Sequence, residues 1–302
     1  MLTNSPLPLE FFLGHTRTWG PDRPVRLLFV LAILPLNVTG QDMDLGLTGK
    51  SAVVTGASRG IGLAVVQALA KEGAYVLAGA RSITSELEAV IATGSVEFFA
   101  IDLATPDGPD LLIQRATTGR GIDILVNNVG GVTPRPDGVA SVTDADWETT
   151  LNLTVMAAVR TIRAALPALM LGGGSIVTIS SVNAALPDPL VADYSAAKAA
   201  LSNFSKSLSK DVGAHGIRVN TISPGPVETA LWLGPTGVAQ TVSHAGGGTP
   251  EEVTAAAAAQ AVTGRFTRPD EVADLALVLA SDRFANITGA DFRIDGGLIP
   301  TL

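Results

Sequence analysis

Seven short β-rich runs alternating with longer helix-compatible stretches constrain this chain more than any other feature. The runs are 51–55 (SAVVT), 75–79 (YVLAG), 96–101 (VEFFAI), 123–126 (DILV), 175–179 (SIVTI), 217–222 (IRVNTI) and 290–294 (ADFRI). Helical patterns lie between them, for example at 60–72, 144–171, 191–213 and 269–280. Strands so continuously apolar belong in a parallel sheet covered by helices on both faces. The expected fold is a single α/β domain with a doubly wound parallel sheet.

That domain is expected over 45–302, with 1–44 as an N-terminal extension. Inside the extension, the apolar run 27–36 (LLFVLAILPL) falls short of the roughly 20 residues a membrane span needs. It sits behind a long segment of mixed charge and has no A-x-A-like site after it, so it matches a signal core poorly. Met43 opens MDLGLTGKSAVVTG, which runs directly into the first strand. The extension is therefore expected either to fall outside the natural product or to be a weak signal-like segment, and the protein to be cytoplasmic. Residues 230–264 are rich in glycine and alanine, hold no strand pattern and exceed an ordinary connection. Insertions of this kind serve as lids or binding loops.

Composition narrows the chemistry. A net charge of −8 argues against a general nucleic-acid binder, which needs a basic surface to meet phosphates. There is no cysteine, hence no disulfide framework and no thiolate nucleophile or ligand. His15, His215 and His244 are scattered without metal-ligand spacing, so no metal is expected. What remains is hydroxyls, amines, carboxylates and a bound cofactor.

The first strand feeds into TGASRGIG, residues 55–62, and then a helix. Glycine is required where the turn is tight, where backbone approaches a pyrophosphate, and where helix packs on strand. The helix start then offers N–H groups and partial positive charge to phosphates. A merely tight turn is the alternative; the strand before, the helix after and the second strand in place argue against it.

The spacing Gly56-x3-Gly60-x-Gly62 departs from the usual dinucleotide fingerprint and resembles the TGxxxGxG motif of the short-chain dehydrogenase/reductases. The resemblance runs over about residues 45–298 and continues through IDL (101–103), NNVG (127–130), SPGPVET (223–229) and ITGADFRIDGG (287–297). It implies a Rossmann-type fold and a nicotinamide dinucleotide held by Gly56, Ser58, Arg59, Gly60, Ile61 and Gly62. It also implies Asp102 and the Leu103 backbone at the adenine, Val227 and Thr229 at the nicotinamide carboxamide, and Asn128, Pro224 and Gly225 among the other residues that bind the cofactor. Capping the next helix is the other reading of Asp102. Val129 stands where the family has alanine, close to the expected nicotinamide ribose.

The end of the second strand discriminates between the two nicotinamides, because an acid there binds the ribose hydroxyls and repels a 2′-phosphate. This chain has Ala80 at that place and Arg81 next, and Arg59 of the glycine loop reaches the same region. Two guanidiniums and no carboxylate favour NADP(H), since a phosphate suits forked donors. NAD(H) is the alternative if both arginines are ordinary surface residues.

Tyr194 is one of only two tyrosines, four residues before Lys198 in DYSAAKAAL. Residues four apart share a helix face. Bringing a phenol from a pKa of about 10 to about 7 needs roughly 4 kcal/mol. A cation about 4 Å away supplies about 4 kcal/mol at an effective dielectric near 20, and only about 1 in water. The lysine, helped by an oxidised nicotinamide ring, is thus expected to suffice only inside an enclosed cleft. A helical Tyr/Lys pair alone is common, but TISSVNA puts Ser181 thirteen residues upstream of Tyr194, a family spacing, with Ser180 as the fallback. By resemblance, Ser181 polarises a carbonyl and Tyr194 gives or takes its proton. Lys198 tunes the phenol and binds the nicotinamide ribose, and Asn152 of LNLT completes a proton relay through water; a packing or helix-bending role is compatible for Asn152.

The expected reaction is hydride transfer between NADP(H) and a small carbonyl or alcohol substrate. Leu231, Trp232, Leu233, Val238 and Val242 of the insertion suit an apolar substrate, or else pack the lid or an oligomer partner. A 3-oxoacyl reductase of this family is an alternative. Such enzymes usually carry basic residues where this chain reads LGGGS (171–175) and GAHGI (213–217), which gives little support to docking an acidic carrier protein. A non-catalytic NADP-binding sensor is the reading from another class, opposed by the retention of Ser, Tyr and Lys. No nucleic-acid or membrane partner is expected. Relatives form tetramers, so a homotetramer or dimer is.

Overall fold

The computed structural model describes residues 43–301. The expectations for residues 1–42 lie outside the described residues.

β1 (Ser51–Thr55) is buried along its whole length, as a strand covered on both faces must be. β2 (Tyr75–Ala80), β3 (Val96–Ala100), β4 (Ile124–Asn127), β5 (Gly174–Ile179), β6 (Ile217–Pro224) and β7 (Asp291–Ile294) join it. Together they make a seven-stranded parallel sheet in the order β3-β2-β1-β4-β5-β6-β7. This is the expected doubly wound architecture, with strand ends displaced by a residue or two from the sequence expectation. The strand order reverses between β1 and β4, and a crevice outside the carboxyl ends of strands at such a switch point is where ligands bind. The segments that follow β1, β4, β5 and β6 are the glycine loop, NNVG, the serine pair and PGPVET, so all four open onto one edge of the sheet.

The helices are α1 (Gly60–Lys71), α2 (Ser85–Ile91), α3 (Gly108–Gly119), α4 (Asp144–Leu151), α5 (Ala157–Gly172), α6 (Ala192–Val212), α7 (Ala230–Leu233), α8 (Val238–His244), α9 (Pro250–Ala258) and α10 (Pro269–Ala280). Residues alternate between the two faces of each strand. In β4, Ile124 and Val126 join a core layer with Val65, Leu69, Val272 and Ala276 of α1 and α10. Leu125 joins the opposite layer with Leu112, Ile162, Leu169 and Val212 of α3, α5 and α6.

The expected single helix over 144–171 is interrupted. Between α4 and α5 the backbone widens into a π turn, Asn152–Met156, in which the Ala157 N–H donates to the Asn152 carbonyl. The whole run Asp144–Gly172 is long and apolar enough to cross a membrane by length and composition. Its apolar face is nonetheless a core face, with Ala157, Ile162, Ala165 and Leu169 buried in the layer beneath α3 and α6. The insertion has no strand and folds into α7, α8 and α9, the last begun by a reciprocal Thr249–Glu252 capping box.

Candidate active site

α1 starts without a side-chain cap. Arg59 at its N-cap makes no capping side-chain hydrogen bond, and no acidic residue occupies the first turn. α2, α4 and α9 begin instead on Thr84, Thr143 and Thr249, whose hydroxyls accept N–H groups. The first-turn N–H groups of α1 are thereby left for an anion. Gly62 has no room for a side chain: a Cβ would overlap the Gly56 carbonyl and stand 2.5 Å from Asn128 Nδ2. Gly60 has φ +56°, and a Cβ on it would lie 3.2 Å from Thr229 Cγ2. Asn128 braces the loop through Nδ2, which donates to the Thr55 and Gly56 carbonyls at 3.1 Å each. This bare, glycine-walled cradle fits a pyrophosphate.

Arg59 and Arg81 are both exposed, and neither pairs with a carboxylate among the described residues. The Thr84 hydroxyl donates to the Ser58 carbonyl at 2.8 Å, tying together the two loops that carry these arginines. Asp102 accepts the Ala104 N–H at 3.0 Å, a local turn cap that leaves its second oxygen free. The Leu103 side chain is buried in the core, so only its backbone can meet a ligand. Val129 also turns away, packing against the core layer of α3 and α5. Its extra bulk over alanine therefore goes into the core and not into the cleft.

A cleft of about 770 Å³ runs along the carboxyl edge of the sheet. It is lined by Ile61, Asn128, Ser181, Tyr194, Lys198, Pro224, Gly225, Val227 and Thr229, gathered from five separate stretches of chain. Gly225 permits this closeness, since a Cβ there would stand 3.0 Å from Asp295 Cα. Leu231, Trp232, Val238 and Val242 close the cleft from the insertion, with Trp232 held edge-on to Phe266 at 5.1 Å between ring centroids. Leu233 does not reach the cleft and is half exposed on the far side of its helix.

Tyr194 and Lys198 share a face of α6, as their spacing requires, with Lys198 Nζ 5.7 Å from the phenol ring centroid. The electrostatics differ from the expected simple activation. Burial pushes the Tyr194 phenol above its ordinary value, with the Ser181 hydroxyl pulling partly back. Burial also lowers Lys198, to about 8, because the ammonium gives up water; among the described residues its hydrogen bond goes to the Ile179 carbonyl at 2.7 Å. The protein alone thus presents a protonated phenol beside a weakened cation.

Ser181 donates to Asn183 Oδ1 at 3.1 Å and accepts the Asn183 N–H at 3.2 Å. Ser180, the fallback, also lines the cleft, with its hydroxyl shared with Ser202 at 2.6 Å. The Asn152 side chain makes no direct hydrogen bond to Lys198 among the described residues. Its Nδ2 donates to the Ala104 carbonyl at 2.7 Å and its Oδ1 accepts from Arg160 at 2.8 Å, so its side chain anchors the first residue of the π turn. Asn183, which lines the cleft, was not singled out in the sequence; its signal was a polar residue in the apolar stretch after the serine pair.

A family model described as Enoyl-(Acyl carrier protein) reductase matches residues 56–299. The chain is similar to a 3-oxoacyl-acyl-carrier-protein reductase of Thermotoga maritima, 31% identical over 84% of this chain and 99% of that one. It is also similar to D-threitol dehydrogenase of Mycolicibacterium smegmatis, 35% identical over 85% of this chain and 95% of that one. Among solved structures, L-sorbose reductase of Gluconobacter frateurii, complexed with NADPH and L-sorbose, superposes with a TM-score of 0.79. It is 36% identical and covers 86% of this chain and 100% of its own. With the matching sheet, cradle and Ser/Tyr/Lys cleft, these findings establish that the chain belongs to the short-chain dehydrogenase/reductase family and is an oxidoreductase of the carbonyl–alcohol type.

Proposed function

We propose that this protein is an NADP(H)-dependent enzyme that interconverts a small, largely apolar carbonyl compound and its secondary alcohol. The observation that carries the proposal is the convergence of Ser181, Tyr194 and Lys198 on one cleft that continues into the glycine-walled cradle. When bound, the nicotinamide supplies the hydride donor or acceptor. Gly56, Ser58, Gly60, Ile61 and Gly62 would hold its pyrophosphate at the start of α1. Asp102 and the Leu103 backbone would meet the adenine, and Asn128, Pro224, Gly225, Val227 and Thr229 the nicotinamide half. Arg59 and Arg81, uncommitted to any carboxylate, suit a 2′-phosphate, and the L-sorbose reductase relative binds NADPH.

In carbonyl reduction, Ser181 donates a hydrogen bond to the oxygen as negative charge builds there. Tyr194 delivers the proton, for which a phenol kept protonated by burial is well suited. Lys198 holds the ribose side of the cleft and adds positive charge near the phenol oxygen as it loses its proton. Asn152 acts on this site through the shape of the π turn. Leu186, Leu190, Trp232, Val238, Val242 and Val253 give the outer cleft an apolar wall, which favours a ketone, quinone or steroid-like group over a polyol. A panel of carbonyl compounds followed by NADPH absorbance tests the reading. Turnover of apolar ketones is expected; tight NADPH binding with no turnover across the panel would favour the sensor.

We also propose a homotetramer or dimer. Leu151, Met156, Met170 and Leu171 expose apolar surface along α4, the π turn and α5, and sedimentation of the purified protein as a monomer would refute association. The proposed location is the cytoplasm, and recovery of the native protein in a membrane fraction would contradict this.

A further inference from the structure

Tyr194 sits in the first turn of α6, and that turn lacks the usual means of fixing itself. Its N-cap is Val191, which has no capping side chain. The residues on either side of the tyrosine are buried instead, Asp193 at 1% exposure and Ser195 at 3%. Each is tied to a separate segment. The Ser195 hydroxyl accepts the Asp188 N–H at 3.3 Å. Asp193 Oδ2 accepts from Arg135 at 3.0 Å and from the Thr150 hydroxyl at 2.8 Å.

Arg135 is the hub. Its second guanidinium nitrogen donates to Asp146 Oδ1 at 3.0 Å, and Asp146 also closes the capping box of α4 with Thr143. The Arg135 backbone N–H donates to the Leu190 carbonyl at 2.7 Å. The loop after β4, both ends of α4 and the entry to α6 therefore meet at the Arg135–Asp193 pair, the start of α4 through Asp146 on Arg135 and its end through Thr150 on Asp193. Gly131 and Val132 of that loop, and Leu190 and Val191 of that entry, line the cleft.

A buried ion pair is a poor source of net stability, because desolvation offsets the attraction; fixing one geometry is a better-attested use. This pair is not even fully satisfied, since Asp193 Oδ1 and Arg135 Nε are buried without a partner among the described residues. We propose that the Arg135–Asp193 pair is a positioning latch that sets the first turn of α6, and with it the Tyr194 hydroxyl, against the substrate carbonyl. Arg135 and Asp193 are positioning residues: they act through the tyrosine and touch no reacting atom. The proposal rests on the reading of Tyr194 as the proton donor.

Steady-state kinetics of Arg135→Met, Arg135→Lys and Thr150→Val, alongside Tyr194→Phe, test it. A displacement of about 1 Å at a reacting group lowers rates by about 100-fold. Arg135→Met should therefore lose kcat by about 10- to 100-fold, with the NADPH Kd unchanged and the KM for the carbonyl little moved. Arg135→Lys, which keeps the charge, should recover part of the loss. Thr150→Val removes a single hydrogen bond to Asp193 and should show a smaller fall in kcat of the same kind, which keeps the test open if Arg135→Met does not fold. Wild-type kcat in the folded variants, with only a lowered Tm, would overturn the latch. If Tyr194→Phe is inactive while Arg135→Met is normal, the latch alone fails; if Tyr194→Phe turns over normally, the reading of Tyr194 fails first.

Discussion

Lys198 donates to the Ile179 carbonyl at 2.7 Å while standing 5.7 Å from the centroid of the Tyr194 ring. The ammonium is thus steered by the backbone at the end of β5, and burial brings its pKa to about 8. The unfolded chain should hold this proton more tightly than the native one between pH 8 and 10.5. Native stability therefore rises with pH through that window; below it the burial penalty is fully present. Measured against Lys198→Met, the unfolding free energy of the wild type should gain up to about 3 kcal/mol between pH 8 and 10.5. Parallel curves for the two proteins would show that Lys198 is not desolvated in this way.

The raised Tyr194 phenol gives the two reaction directions opposite pH dependence. Reduction needs the protonated phenol and should hold level through neutral pH, falling only on the alkaline side. Oxidation needs the phenolate and should climb over the same alkaline range. Initial rates in both directions from pH 6 to 10.5 check this, and an oxidation rate already level at pH 7 would require a lowered phenol.

Arg81→Ala should raise the KM for NADP(H) about tenfold, the equivalent of about 1.4 kcal/mol, and leave NAD(H) almost unaffected. Placing an acid at the end of β2 with Ala80→Asp should weaken NADP(H) and strengthen NAD(H). Comparing kcat/KM for the two cofactors decides the matter, and an unchanged NADP(H) preference in both variants would remove this strand end from the account.

Much of the fold and site was legible in the sequence because the signals were local. Apolar strand runs alternated with helices, TGASRGIG joined one such pair, and Tyr194 and Lys198 were one helical turn apart. What escaped depended on packing across the chain. Asp193 carries no local signal of its role, because its partner Arg135 lies 58 residues away in a loop with no regular pattern. Val129 was placed by family position beside the ribose, but which way a side chain turns is settled by the core it meets. The π turn at Asn152 has no marker in the sequence beyond the helix-bending role open to that asparagine, because no proline or glycine breaks the run 144–156. Coulomb attraction by lysine, helped by an oxidised nicotinamide ring, is a pairwise argument; in the protein alone burial acts on both groups against it.

The central claim is that Tyr194 moves the proton in a carbonyl–alcohol conversion. Tyr194→Phe keeps the ring and removes only the hydroxyl, so it should leave the cradle at α1 and the cofactor affinity intact. The most direct measurement pairs NADPH binding by fluorescence titration with turnover of the best carbonyl substrate. Unchanged binding with turnover reduced by about 100-fold or more is the expected result, and near-normal turnover in Tyr194→Phe would contradict the account.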